Sequence, residues 1–208
     1  MTYSLPPEDQ RYVPEDRRVR IISKDPSQLT GLLSSLQDRR GVMFPYTPIM
    51  QLNRIAEWNP YDLVHTNHRT QTYAKSYVDD ITISAQFTAD TAANAEYAFV
   101  AAHFFKSMMQ MHYGRRDEFR GSPPPVLELY GHGSHILNGV PVVIKSFSQE
   151  YNDAVDMVQV QSENIDAWVP VIQTFIINLG VTYNMLKARN EFSVADFKNG
   201  SLLKRGYL

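Results

Sequence analysis

From Tyr77 to Phe87 the chain alternates cleanly. Ile81, Ile83, Ala85 and Phe87 fall on one side, and Asp80, Thr82, Ser84 and Gln86 on the other. A period of two with one apolar face marks a half-buried strand. The same period recurs from Val155 to Val160. Val126–Tyr130 and Val140–Ser148 read as further strands, and Val169–Leu179 as a long apolar one with Gln173 and Asn178 inside it. Val42–Met50 is apolar and extended, but Pro45 and Pro48 cannot donate to a ladder, so this segment sits at a sheet edge or enters one from a loop. Trp58 to Gln71 is polar and rich in turn formers. Asn138-Gly139 is a hairpin-turn signal, because both residues tolerate positive φ.

One segment carries a helical period. Ala92 to His112 contains neither Gly nor Pro, and Asp90 or Thr91 can cap it. Ala95, Phe99, Ala102 and Met109 form one stripe; Tyr97, Phe104, Met108 and Met111 lie beside it. So wide an apolar arc predicts a helix buried on more than one side. Gly114 is placed to end it, with Arg115 and Arg116 at the negative end of its dipole. Gly121-Ser122-Pro123-Pro124-Pro125 reads as a stiff connector.

Residues 1–40 differ. Seven of the twelve prolines lie within residues 1–60, charges alternate in Glu15-Asp16-Arg17-Arg18, and only Val19–Ile22 looks like a strand. This predicts an extended N-terminal arm over 1–40 and a β domain over 41–208, with the arm ordering against a partner through Tyr12, Ile21, Ile22, Leu29, Leu32, Leu33 and Leu36. Strands, one helix, then strands make the expected class α+β, mainly β, with an antiparallel sheet system.

Composition narrows the function. At 208 residues, 43% apolar and 12% aromatic, the chain can build one core. It has no cysteine, which excludes disulfides, thiolate zinc sites and a cysteine nucleophile. The net charge of −2 argues against a strong electrostatic grip on nucleic acid. No apolar run of spanning length occurs, so no membrane insertion is expected, and the first residues have no secretory pattern. Charge is unevenly placed. Residues 139–180 hold Lys145 against Glu150, Asp153, Asp156, Glu163 and Asp166, whereas 187–208 hold five cations against Glu191 and Asp196. That segregation suits head-to-tail contact between copies.

Candidate chemistry is thin. His65-Thr66-Asn67-His68 and His132-Gly133-Ser134-His135 share a spacing, but residues i and i+3 of a strand point to opposite faces and zinc wants three or four convergent ligands. Both pairs read as loop histidines. His103 and His112 are two and a half helical turns apart and should face different ways. Gly131–His135 only loosely echoes a nucleophile elbow and lacks its strand–turn–helix setting. Asp79 and Asp80 face opposite ways, so they do not form an acid–base dyad. Neither phosphate-binding glycine motif is present. Arg115–Arg120 is a mixed charged loop, and Met108-Met109-Gln110-Met111 reads as adaptable packing.

Taken in order, Phe44-Pro45-Tyr46-Thr47-Pro48, then Asp80–Thr88, then the helix ending Ala102–Met108, then Gly121–Leu127 and Gly139–Ile144, the chain resembles the tail-tube-like proteins of contractile-tailed bacteriophage baseplates, especially the tube initiators, or tail-tube junction proteins. The likeness covers about residues 42–206; the first forty carry no matching motif. It implies a tail-tube-like antiparallel β-sandwich or half-barrel with one flanking α-helix. It also implies a homo-hexamer, a ring in the virion assembled in the host cytoplasm. Such a ring joins a baseplate hub protein on one side to the tail tube protein, or a second tube-like ring, on the other, and initiates tube polymerisation. Wedge or sheath-initiator contacts would fall to the N-terminal arm, and tape-measure protein and transient DNA would occupy the lumen. Thr82, Ser84, Gln86, Gln159 and Gln161 would then form a lumen or solvent face that does not trap a polyanion. No enzymatic activity, cofactor, metal or catalytic residue comes with the resemblance. The alternatives are the main tail tube subunit, a monomeric β-barrel that binds a small ligand, and a histidine-based metallohydrolase.

Overall fold

The computed structural model describes Pro14 and residues 17–117, 119–151, 155–162 and 165–208. Eleven strands are described: β1 (Arg20–Ser23), β2 (Gly41–Met43), β3 (Ile49–Gln51), β4 (Arg54–Tyr61), β5 (Thr70–Val78), β6 (Ile81–Thr88), β7 (Leu127–Gly131), β8 (Leu137–Tyr151), β9 (Met157–Ser162), β10 (Ile165–Pro170) and β11 (Ile172–Val181). Seven of them form one antiparallel sheet in the order β2-β1-β7-β8-β11-β6-β3. The fold is α+β, mainly β. The sheet is open, with β2 and β3 as its margins.

The alternation read in β6 is realised. Ile81, Ile83, Ala85 and Phe87 are buried, while Thr82, Ser84 and Gln86 stand on the other face. Helix α1 (Ala92–Ser107) lies across the buried face, with its first amides capped by Thr91, whose Oγ1 accepts from the Asn94 N–H at 3.2 Å. The tight helical segment Gly31–Arg39 adds Leu33 and Leu36 to the same layer, and the β9–β10 hairpin packs on α1. Phe44, Phe87, Phe104, Phe105 and Phe175 fill the interior with Tyr97. Two short helices, α2 (Met185–Glu191) and α3 (Val194–Lys198), bury no residue fully, so among the described residues α1 is the one α-helix built into the core.

Several expectations change. Residues 19–40 lie inside the fold rather than outside it: β1 is an interior strand between β2 and β7, and Val19, Ile21, Leu29, Leu33 and Leu36 are core. Their pairing partners are at 41–43 and 127–130, too distant in sequence for local pattern to reveal. Residues 1–13, 15 and 16, including Tyr12, lie outside the described residues. Helix α1 ends at Ser107 rather than His112, because His112 joins a tertiary backbone pair: its N–H donates to Ser122 O and its carbonyl accepts from Gly121 N–H. Asn138-Gly139 is a β-bulge, not a turn. Leu129 pairs with Val140 and Tyr130 with Asn138, which leaves Gly139 (φ +71°) as the extra residue; the β7–β8 connection is 132–136. Residues 155–162 are not in the main sheet, since β9 pairs only with β10 among the described strands. The long strand read over 169–179 breaks at Val171 between β10 and β11.

The two margins are treated differently. At β2, the Tyr97 hydroxyl donates to Met43 O at 2.7 Å and accepts from Met43 N–H at 2.9 Å, so a buried side chain satisfies the edge. Tyr97→Phe removes both bonds and leaves a buried backbone donor and acceptor unmet. It should cost about 2–3 kcal/mol in chemical denaturation, since each orphaned group loses its hydration without replacement. A cost below about 0.5 kcal/mol would show that solvent reaches this edge.

Candidate interaction surfaces

Margin β3 is unlike β2. It is three residues long, with Ile49 78% exposed, and it runs on through Leu52 and Asn53 into β4. Strand β5 likewise runs into β6 through Asp79 and Asp80. The base of this long hairpin belongs to the sheet and its upper part, β4–β5, stands clear as a separate two-stranded ribbon. Most of its residues are exposed on both faces. Of the turn-rich stretch 58–71, residues 62–69 are the loop, while 58–61 and 70–71 are strand; without a buried face, the ribbon has no apolar alternation to mark it.

The ribbon is held by its own side chains. Trp58 and Tyr73 pair across the strands, edge to face with ring centres 5.3 Å apart. The Arg69 guanidinium forks onto Asp62 at 2.7 and 3.0 Å, and Glu57 receives both Lys75 at 3.3 Å and the Tyr77 hydroxyl at 2.9 Å. That hydroxyl's bond to Glu57 raises its pKa above the ordinary phenol value. Trp58, Tyr61, Leu63, Val64 and Tyr73 remain exposed. A lone two-stranded ribbon is marginal in water, and grouped exposed apolar side chains mark contact surfaces.

The sheet's open face is polar in ordered rows. Thr82, Asn178 and Ser146 stand abreast on β6, β11 and β8, as do Ser84, Ile176 and Ser148, then Gln86, Thr174 and Glu150. Thr82 Oγ1 donates to Asn178 Oδ1 at 2.9 Å, and Asn178 Nδ2 donates to Ser146 Oγ at 2.7 Å. The third row therefore carries the charge of Glu150, and the Lys145–Asp80 pair, 2.6 Å apart, lies by the opposite end of the face. Gln159 and Gln161 are exposed but belong to β9, outside this face.

Two hollows remain. One, of about 670 Å³, lies between the 25–33 segment, the end of α1 and the 107–125 chain. His103 and His112 both line it, contrary to the helical-spacing expectation, because α1 stops before His112. His112 Nδ1 is 3.0 Å from Asp117 Oδ2. The other, of about 320 Å³, lies where β7, β8 and the C-terminal turns meet; Lys24, Lys187, Lys204, Arg205 and Glu128 line it, with Tyr130, Tyr183 and Tyr207. Burial raises the pKa of each of these three phenols, with Glu128 adding to the shift at Tyr130.

The remaining sequence candidates are dispersed. His65 and His68 sit on the β4–β5 loop, and His132 and His135 on the β7–β8 loop. Among the described residues, no three His, Asp or Glu converge as metal ligands. Ser134 Oγ is 3.1 Å from His135 Nδ1, but both are exposed on a strand–turn–strand connection. Among the described residues no helix is long and apolar enough to cross a membrane. No protein-family model matches the chain, and no curated protein matches it.

Proposed function

We propose that the chain is a structural protein of a contractile-tail baseplate. Six copies of a tail-tube-like fold form a ring that sits on the hub and starts the tail tube. The observation that carries this reading is the β4–β5 ribbon. It extends the strands next to the open β3 margin, and its exposed aromatic side chains have little of this chain to pack on. A neighbouring copy that covers the ribbon and pairs the margin removes both liabilities at once. A cyclic ring does this with two different patches on each copy. The polar rows of Thr82, Ser84, Thr174, Asn178, Ser146 and Ser148 suit a channel wall: they hydrate well and are themselves uncharged.

In this reading the partners are the hub below, the tail tube or a second tube-like ring above, and tape-measure protein and DNA in the lumen. The work is architectural and the site of action is the virion. The main tube subunit is the second reading; the long ribbon and the loops at 62–69 and 108–125 favour a junction over a repeating unit.

Light scattering with negative-stain microscopy tests it, on the purified chain alone and with hub protein. A six-fold ring, or a monomer that forms one on the hub, is the expected result. Long tubes from the chain alone would move it to the tube subunit. A stable two-fold dimer with no larger species would overturn the ring.

A further inference from the structure

Strands β8 and β11 run the length of the central sheet in opposite directions, and their ends differ in charge. At one end lie the close of β8 and the entry to β9, which carry Glu150 and Asp156, both exposed; the Val171 N–H, just before β11, donates to Asp156 O at 2.8 Å. Neither has an ion-pair partner among the described residues. At the other end, about 30 Å away along the ten residues of β11, lies the 320 Å³ hollow.

That hollow is cationic. Of the charges that line it, Lys24 is taken by Glu128 at 3.3 Å, while Glu128 also accepts from the Tyr130 hydroxyl at 3.0 Å. Among the described residues, Lys187 makes only a 4.0 Å pair with Glu191 of its own helix. Lys204 and Arg205 are exposed and have no ion-pair partner among the described residues. The backbone that presents them is fixed: Asn138 Nδ2 donates to Lys204 O at 2.7 Å, and Gly206 (φ +82°) packs so close to Gly139 that a Cβ there would lie 2.5 Å from its carbonyl oxygen.

We propose that this cationic hollow receives the acidic end, Glu150 and Asp156, of the next copy of this chain, as the electrostatic half of a head-to-tail contact. The proposal rests on the ring reading and names the surfaces that close it. Opposite charges at opposite ends of one molecule cannot satisfy each other within it, and two different patches are what a cyclic contact requires.

Charge reversal on the full chain tests it, under the conditions in which the unmodified chain assembles. Lys204→Glu with Arg205→Glu, and separately Glu150→Lys with Asp156→Lys, should each weaken assembly at least tenfold at low salt. Mixing the two variants should restore it, because an alternating ring of six pairs every reversed hollow with a reversed acidic end. Assembly of the unmodified chain should weaken as salt rises. All four positions are exposed, and unchanged thermal unfolding of each variant checks that it folds. If either variant assembles as well as the parent, or if mixing restores nothing, the contact is elsewhere and the ring reading stands. If the parent itself never assembles, the ring reading fails. Duplex DNA that binds the parent but not Lys204→Glu/Arg205→Glu, with assembly unchanged, would assign the hollow to phosphate and overturn the proposal.

Discussion

Replacing residues 55–77 by Asn-Gly is expected to leave the sheet folded and to weaken ring assembly about a thousandfold. The excision is geometrically simple, because Arg54 and Val78 are register partners and Asp79 N–H donates to Asn53 O at 2.9 Å just below them. Two strands already paired at that point accept a two-residue turn. Keeping Arg54 preserves its guanidinium over the Phe197 ring, 4.7 Å from the centroid, which ties the ribbon's base to α3. What leaves with the ribbon is largely exposed surface, so the core loses little. What the ring would lose is Trp58 and Tyr73. An aromatic anchor at the centre of a contact is worth about 2 kcal/mol, and two of them about three decades of affinity. The double variant Trp58→Ala/Tyr73→Ala should reproduce most of the loss with the ribbon in place. Sedimentation at a series of concentrations reads both. Undiminished assembly of the excised chain would show that the ribbon is no part of the contact.

Local periodicity carried far in this chain where one face is buried. Strand β6 reads correctly because Ile81, Ile83, Ala85 and Phe87 all point into the core, and Thr91 reads as a cap because its hydroxyl bonds an amide three residues on. The prolines at 45 and 48 point to the sheet margins because neither can donate to a ladder, and they fall between β2 and β3. The ribbon escapes the same logic, since period-two alternation vanishes when neither face is buried. Asn138-Gly139 misleads for a different reason: a turn and a bulge ask for the same positive φ, and only the partner strand's register tells them apart. The interior place of β1 depends on β2 and β7, and no residue near it in sequence announces them. The hollow lined by Lys24, Lys187, Lys204 and Arg205 was legible only as a charge bias over 187–208. Its concavity and its Lys24 wall come from the meeting of distant segments.

Phe175→Ala should be the most damaging single truncation of the core, at about 3–5 kcal/mol. Phe175 is fully buried at the middle of β11, between β8 and β6. Its ring centre lies 4.4 Å from that of Phe87, 5.3 Å from Phe147 and 6.3 Å from Phe105, so it touches both sheet neighbours and α1. Truncation removes the burial of a whole ring and leaves a void whose walls are themselves rings, held by the sheet on one side and the helix on the other. Such walls cannot collapse inward, so the cavity penalty adds to the lost transfer free energy. For a chain of this size the loss corresponds to a melting point roughly 6–20 °C lower. Thr174→Ala, one residue earlier, stands on the open polar face and should cost about 0.5 kcal/mol or less. Calorimetry of the two variants at one concentration measures the difference. Equal losses would mean that the two faces of β11 are not distinguished by burial, and the open polar face would have no basis as a wall exposed to solvent.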